Sequence, residues 1–203
     1  MVRRSDTREA IRAVALELFG ERGYERASLR ELAVRLRITK AAVYHHFATK
    51  EDILASLAEE FAAPLDELLA WGRAQPPGPG TRRELLRRYA ELLAGRHGRL
   101  VRFLEDDRAG LRDLAAARDL HRRLDELAGL LADDGAAAAG LLADGGRTAA
   151  ATLRARLCLV ALHDGAAARV ADPAAGPSGS WSTSGEVELR EAALAVAQDL
   201  VAG

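Results

Sequence analysis

The chain has 203 residues, 49% of them hydrophobic, 29% charged and 4% aromatic, which sets it among folded globular chains and apart from disordered or fibrous ones. Its 43 Ala and 32 Leu stand against few Val and Ile and favour helix over sheet. The net charge of −1 hides an asymmetry: residues 1–50 hold 11 Lys and Arg against 6 Asp and Glu, and the other 153 residues hold 18 against 24. A basic first quarter on an acidic body is the pattern of a small module that meets a polyanion. No uncharged apolar run reaches the ~18 residues a membrane span needs, and acidic Asp6 and Glu9 interrupt any signal-peptide apolar region. Cys158 is the single cysteine, so an internal disulfide framework and a cysteine-built metal site are both excluded. A cytoplasmic protein without membrane contact is expected.

In chain order, Ile11, Val14, Ala15, Leu18 and Phe19 form the stripe of an amphipathic helix. Asp6 or Thr7 would cap it, Gly20 and Gly23 close it, and Tyr24 anchors the core just beyond. Ser28 and Glu31 form a capping box that opens a short second helix with Leu29, Leu32, Ala33 and Leu36 on one face. Thr39 caps a third short helix in which Val43 and Phe47 stand four apart. Lys50-Glu51-Asp52 opens a fourth, striped by Ile53, Leu57 and Phe61, which Pro64 should kink or divide before its end near Trp71. Residues 72–80 (GRAQPPGPG) are the clearest break. Thr81 and Glu84 read as a capping box for a helix to about Ala94. A short helix is expected over Leu100–Glu105 and a long one over Gly110–Leu131. Thr148–Ala168 and Glu186–Ala202 read as the last two long helices, on either side of a Pro/Gly/Ser loop at 171–185. Residues 133–146 are ambiguous. No strand and no internal repeat stands out.

The chemistry concentrates in Ser28–Lys50. Two short helices separated by about three residues after a longer one have the layout of a helix-turn-helix, whose second helix lies in the DNA major groove. The exposed face of that helix would present Thr39, Lys40, Ala42 and Tyr44, with His45 and His46 nearby. Small Ala41 and Ala42 let the backbone approach, and Ala42 or the Thr39 methyl can meet a thymine methyl. Tyr44, the two histidines and Lys50 can serve phosphate oxygens.

On ALELFGERGY (15–24), SLRELA (28–33), ITKAAVYHHF (38–47) and TKEDIL (49–54), the chain resembles the TetR family of transcriptional regulators. The resemblance covers residues 9–54; the remainder fits the family's C-terminal domain in length and class but carries no motif. It implies an all-α fold of about nine helices. Residues 1–50 would be the DNA-binding domain, 51–71 a linking helix, and 72–203 an effector-binding and dimerisation domain. It carries over backbone or base contacts to Ser28 and Arg30, base reading to Thr39, Lys40, Ala41 and Ala42, and phosphate contacts to Tyr44, His45 and Lys50. Arg37 departs from the family pattern, standing where many members have glycine in the turn. A positive φ there would cost arginine roughly 1 kcal/mol.

Several features read more plainly. Adjacent His45 and His46 point about 100° apart and do not share a metal, so no metal or cofactor is expected. His121 and Asp125 are a helix-surface pair, His163 a cation at a helix end, Cys158 a small core residue, and Arg82, Arg83, Arg87 and Arg88 a solvated face. Phe61, Trp71, Tyr89 and Phe103, with His121, are candidates for an apolar effector pocket, with plain core packing the alternative. Leu153, Leu157 and Val160, with Leu189, Ala193, Val196 and Leu200, are the expected homodimer faces. The partners implied are double-stranded DNA, a small-molecule effector and a second copy. The expected function is a ligand-responsive repressor rather than an enzyme. An activator of the same fold and a helical interaction protein without DNA binding are the alternatives; a hydrolase using His121 or His163 lacks any nucleophile–base pairing in the sequence.

Overall fold

The structure, a computed structural model, describes residues 4–94, 96–132, 152–153, 155–163 and 194–195. Among them there is no strand. Eight helices follow one another: α1 Arg4–Arg22, α2 Leu29–Leu36, α3 Lys40–His46, α4 Lys50–Arg73, α5 Pro79–Leu92, α6 Arg96–Asp106, α7 Arg108–Leu111 and α8 Ala115–Ala132. Residues 155–163 are helical as well. Contacts gather the chain into two compact units, Met1–Pro64 with Arg99–Arg122, and Leu65–Gly98 with Arg123–Gly203. The first unit therefore joins the helix-turn-helix to a segment distant in sequence, a grouping that no linear boundary expresses.

In the first unit, α1 begins at Arg4 and runs through Gly20 to Arg22, ahead of the expected Asp6 or Thr7 cap. Gly23 ends it in the left-handed region, at φ +78°, and its N–H donates to the Phe19 carbonyl at 2.8 Å. Ile11, Ala15, Leu18 and Phe19 are buried, and Val14 only partly so. Tyr24 is 2% exposed, its ring edge-on to Phe19 at 5.4 Å. Phe103 of α6 stacks on the other side of Phe19 at 5.6 Å. The Asp107 carboxylate accepts the Tyr24 N–H at 2.8 Å, so the turn after α1 is tied to the end of α6.

Ser28 caps α2 by accepting the Glu31 N–H at 3.2 Å. The Glu31 carboxylate turns to Arg22, 3.2 Å away, and Arg35 reaches back to Glu21. These exposed pairs between α1 and α2 each stabilise the head by no more than about 1 kcal/mol; the buried stripe holds it. Thr49 and Asp52 cap α4 reciprocally, Asp52 N–H to Thr49 Oγ1 at 3.0 Å and Thr49 N–H to the Asp52 carboxylate at 2.9 Å. Helix α4 continues unbroken through Pro64, against the expected division. Phe61 and Leu65 on either side are fully buried, and tertiary packing of this kind sustains helix where local propensity does not.

In the second unit, Gly72 lies inside α4 rather than in the connection, which shortens to 74–78. A Cβ on Gly72 would stand 2.9 Å from Leu85 and 3.0 Å from Leu130, so glycine permits the close passage of α4 by α5 and α8. Helix α5 starts at Pro79, before the expected Thr81 cap. Proline suits a first helical position because its missing N–H would have no partner there. The Thr81 hydroxyl donates to the Pro76 carbonyl at 2.7 Å, and Glu84 binds Arg87 and Arg88, so that capping box does not form. Helix α6 extends to Arg96–Asp106, and a turn at 112–114 divides the expected long helix into α7 and α8. Among the described residues, no helix is long and apolar enough to cross a membrane.

Candidate nucleic-acid interface

The α2–α3 corner is set by two caps and one unusual residue. Arg37 sits at φ 54°, ψ 37°, in the left-handed region, as the sequence departure anticipated. Its N–H donates to Val34 O at 3.1 Å and the Ile38 N–H to Ala33 O at 3.0 Å, closing the last carbonyls of α2. Two residues on, Thr39 Oγ1 accepts the Ala42 N–H at 3.1 Å and starts α3.

Helix α3 then splits into two faces. Val43 and Phe47 are buried at 0% and 3% exposure, on the four-residue spacing that seats them in the core. Thr39, Lys40, Ala41, Tyr44 and His45 are exposed, and Ala42 and His46 partly so. Tyr44 is 47% exposed, a large aromatic held at the surface. Lys40 Nζ stands 5.2 Å from its ring centre, an i, i+4 cation–aromatic contact that keeps both groups on one side of the helix. The His45 and His46 rings meet edge to face at 5.4 Å. Ser28 and Arg30, at the start of α2, are exposed as well. Such a face offers a cation, an aromatic hydroxyl, imidazoles and methyl groups, the types that contact phosphates and base edges.

Lys50, expected on a phosphate, donates inward: Nζ binds Tyr24 O at 2.8 Å and Glu25 O at 3.2 Å and lies 4.2 Å above the Tyr24 ring. It pins the α1–α2 turn to the start of α4. Burial, with Glu51, Glu25 and Asp52 adding, pushes the Tyr24 phenol well above its ordinary range. Sequence periodicity did not single out Val34, 70% exposed on α2; its place off the Leu32–Ala33 buried face is the signal that could have found it.

The expected pocket residues divide between the two units. Phe61, Phe103 and His121 belong to the first, and Trp71 and Tyr89 to the second. Phe103 is engaged with Phe19, and the His121 ring stands 3.8 Å from the Glu105 carboxylate. Asp125 pairs with Arg156 at 3.1 Å, so each member of the expected His121–Asp125 surface pair finds another partner. Trp71 is partly exposed beneath the Arg88 guanidinium, 4.1 Å away. Arg87 and Arg88 bind Glu84, and Arg87 also binds Glu91, so the basic face of α5 carries its own counter-charges. Tyr89 is fully buried, its Oη 2.8 Å from His163 Nε2.

His163 corrects its sequence reading. It is 4% exposed, and burial pulls its pKa down from 6.5 to about 4, so it is neutral near pH 7 and is no surface cation. Cys158 is buried, and burial raises its thiol pKa. On 155–163, Ala155, Cys158, Leu159 and Leu162 face inward, while Leu157 and Val160 are 49% and 46% exposed and Leu153 is 59% exposed. Leu189, Ala193, Val196 and Leu200 lie outside the described residues. Among the described residues, no group of three His, Cys, Asp or Glu side chains is placed to hold a metal ion.

Residues 11–57 match the family described as bacterial regulatory proteins, tetR family. The chain is 37% identical over 76 residues to the transcriptional repressor BepR of Brucella suis biovar 1, covering 37% of this chain and 36% of that protein. It thus spans about a third of the length of the curated relative it matches. The fold extends further. Mycobacterium smegmatis AmtR is 29% identical at a TM-score of 0.59, covering 94% of this chain and 86% of that one. AibR, solved with isovaleryl coenzyme A and operator DNA, is 20% identical at a TM-score of 0.59, covering 93% and 96%. Residues 11–57 thus carry a segment of the tetR family of bacterial regulatory proteins, ending just inside α4, and the chain as a whole is similar in fold to AmtR.

Proposed function

We propose that the protein is a ligand-responsive transcriptional repressor that binds a palindromic DNA operator as a homodimer and is released by a small-molecule effector. The exposed face of α3 carries the reading: Thr39, Lys40, Ala41, Tyr44 and His45 stand out of a helix anchored by Val43 and Phe47, at the end of a basic head. Ala42 and His46 flank that face, and Ser28 and Arg30 would position the head on the backbone. BepR is named a repressor, and AibR was solved on operator DNA with an acyl-coenzyme A, so both partner classes have precedent on this fold.

The dimer is supported by Leu153, Leu157 and Val160, an apolar stripe left exposed on a helix whose other face is buried. Two heads related by a two-fold axis would read half-sites about one helical turn of DNA apart, or a small multiple. Residues 51–71 would link the head, residues 1–50, to the effector and dimerisation domain, residues 72–203. An effector would release DNA through its differential affinity for the two arrangements of the heads. The protein acts in the cytoplasm in this account. Selecting bound sequences from a random duplex pool with the purified protein tests it. A palindromic consensus is expected; enrichment of no sequence would overturn the reading.

A further inference from the structure

The buried core of the second unit has one polar exception. Among the described residues, His163 is the one buried residue of the polar or charged types. It lies on the helical residues 155–163, whose inward side chains include Leu159 and Leu162, and its partner Tyr89 lies on α5, which also buries Leu85 and Leu86. The two rings meet edge to face, 5.8 Å apart at 68°, with Tyr89 Oη 2.8 Å from Nε2.

A phenol donates to an imidazole nitrogen more readily than it accepts from one, so Nε2 takes the Tyr89 O–H and the ring proton sits on Nδ1. That Nδ1 is buried and meets no hydrogen-bond partner among the described residues. Burial pulls its pKa down to about 4, so the ring is neutral near pH 7. An uncharged N–H donor without an acceptor, in apolar surroundings, is costly to keep unless something supplies the missing atom.

We propose that Tyr89 and His163 are the polar anchor of the effector site, and that the effector is an uncharged, largely apolar molecule presenting a carbonyl oxygen to His163 Nδ1–H. Tyr89 acts as a positioning residue, since its hydroxyl fixes the tautomer that points the donor at the ligand. Toward a cation, His163 Nδ1–H offers a donor where an acceptor is needed. A carboxylate would lose its water for a single neutral N–H. The inference rests on the proposed effector-binding role of residues 72–203.

The test uses the full-length protein labelled with 15N-histidine and three probes of matched length: 2-heptanone, 2-aminoheptane and heptane. The ketone is expected to shift the His163 Nδ1 resonance saturably and to bind about tenfold more tightly than heptane, the worth of one buried neutral hydrogen bond. The ammonium probe is expected not to bind. Tyr89→Phe keeps the ring but releases the tautomer and should weaken the ketone several-fold. His163→Phe should reduce the ketone to the affinity of heptane. If His163→Phe does not fold, Tyr89→Phe decides alone. Absence of a ketone-induced shift, equal binding of ketone and amine, or unchanged ketone affinity in Tyr89→Phe overturns the anchor. Operator binding is measured separately on the same samples. A protein that binds operator but not the ketone loses the anchor alone, whereas one that binds no operator loses the proposed function whatever the ketone does.

Discussion

Replacing Arg37 by glycine should make the protein more stable, although it removes a side chain and adds nothing. Arg37 holds φ 54°, ψ 37° because the end of α2 requires it: the N–H groups of Arg37 and Ile38 close the Val34 and Ala33 carbonyls only with that residue in the left-handed region. For a residue with a Cβ this conformation costs about 1–2 kcal/mol. Glycine removes the strain but loses about 0.4–1 kcal/mol to the greater freedom of its unfolded chain. The side chain is exposed, so little packing is lost with it. The net expectation is a gain of about 0.5–1 kcal/mol, or a rise in Tm of about 1–3 °C for a chain of this length. Urea unfolding at pH 7.5 reads it as a higher midpoint at unchanged slope. Arg37→Ala keeps both the Cβ and the strain and should stay within about 0.5 kcal/mol of the parent. A glycine variant less stable than the parent, or an alanine variant that gains as much as glycine, would refute the strain account.

Burial holds the pKa of His163 near 4 against an ordinary 6.5, so the folded state binds fewer protons than the unfolded one and stability is lost on acidification. The contribution is intact above about pH 6.5, lower by about 2 kcal/mol at pH 5 and by about 3 kcal/mol below pH 4. Urea midpoints of the parent and of Tyr89→Phe/His163→Leu should therefore diverge between pH 7 and 5, and parallel curves would count against a buried neutral imidazole. Lys50→Met strips the Tyr24 and Glu25 carbonyls of their ammonium and should cost about 1–2 kcal/mol in the same assay, discounted for partial exposure. Leu157→Glu charges an exposed side chain, so the monomer should fold as before while light scattering finds the dimer lost; an unchanged dimer would place the interface elsewhere.

How legible the molecule was depends on the range of the interactions. Caps at Ser28 and Thr39, the Val43/Phe47 spacing and the Tyr24 anchor rest on contacts within a few residues, and periodicity exposes them. The Thr49–Asp52 reciprocal cap had the same kind of signal and passed as mere acidity in a first turn. Other features were decided at a distance. Pro64 is expected to kink or divide the helix on local propensity, yet α4 is not divided there, with Phe61 and Leu65 buried on either side. Gly72 looked like a linker residue and is a site of close helix passage past Leu85 and Leu130. His163 beside an acidic neighbour resembled a surface cation, because nothing local reveals that a tyrosine 74 residues away on α5 faces it. The carbonyl contacts of Lys50, expected on a phosphate, are equally hidden in the sequence, their partners lying 25 and 26 residues back.

The most direct test of α3 as the reading element is operator affinity against salt for the parent, Lys40→Ala and Tyr44→Ala, using the selected duplex. Lys40 and Tyr44 stand on the exposed face, away from Val43 and Phe47, so both variants should unfold like the parent. Affinity should fall in both, and the slope of log affinity on log salt should shrink by about one for Lys40→Ala. Affinities and slopes equal to the parent's in both variants would contradict the account.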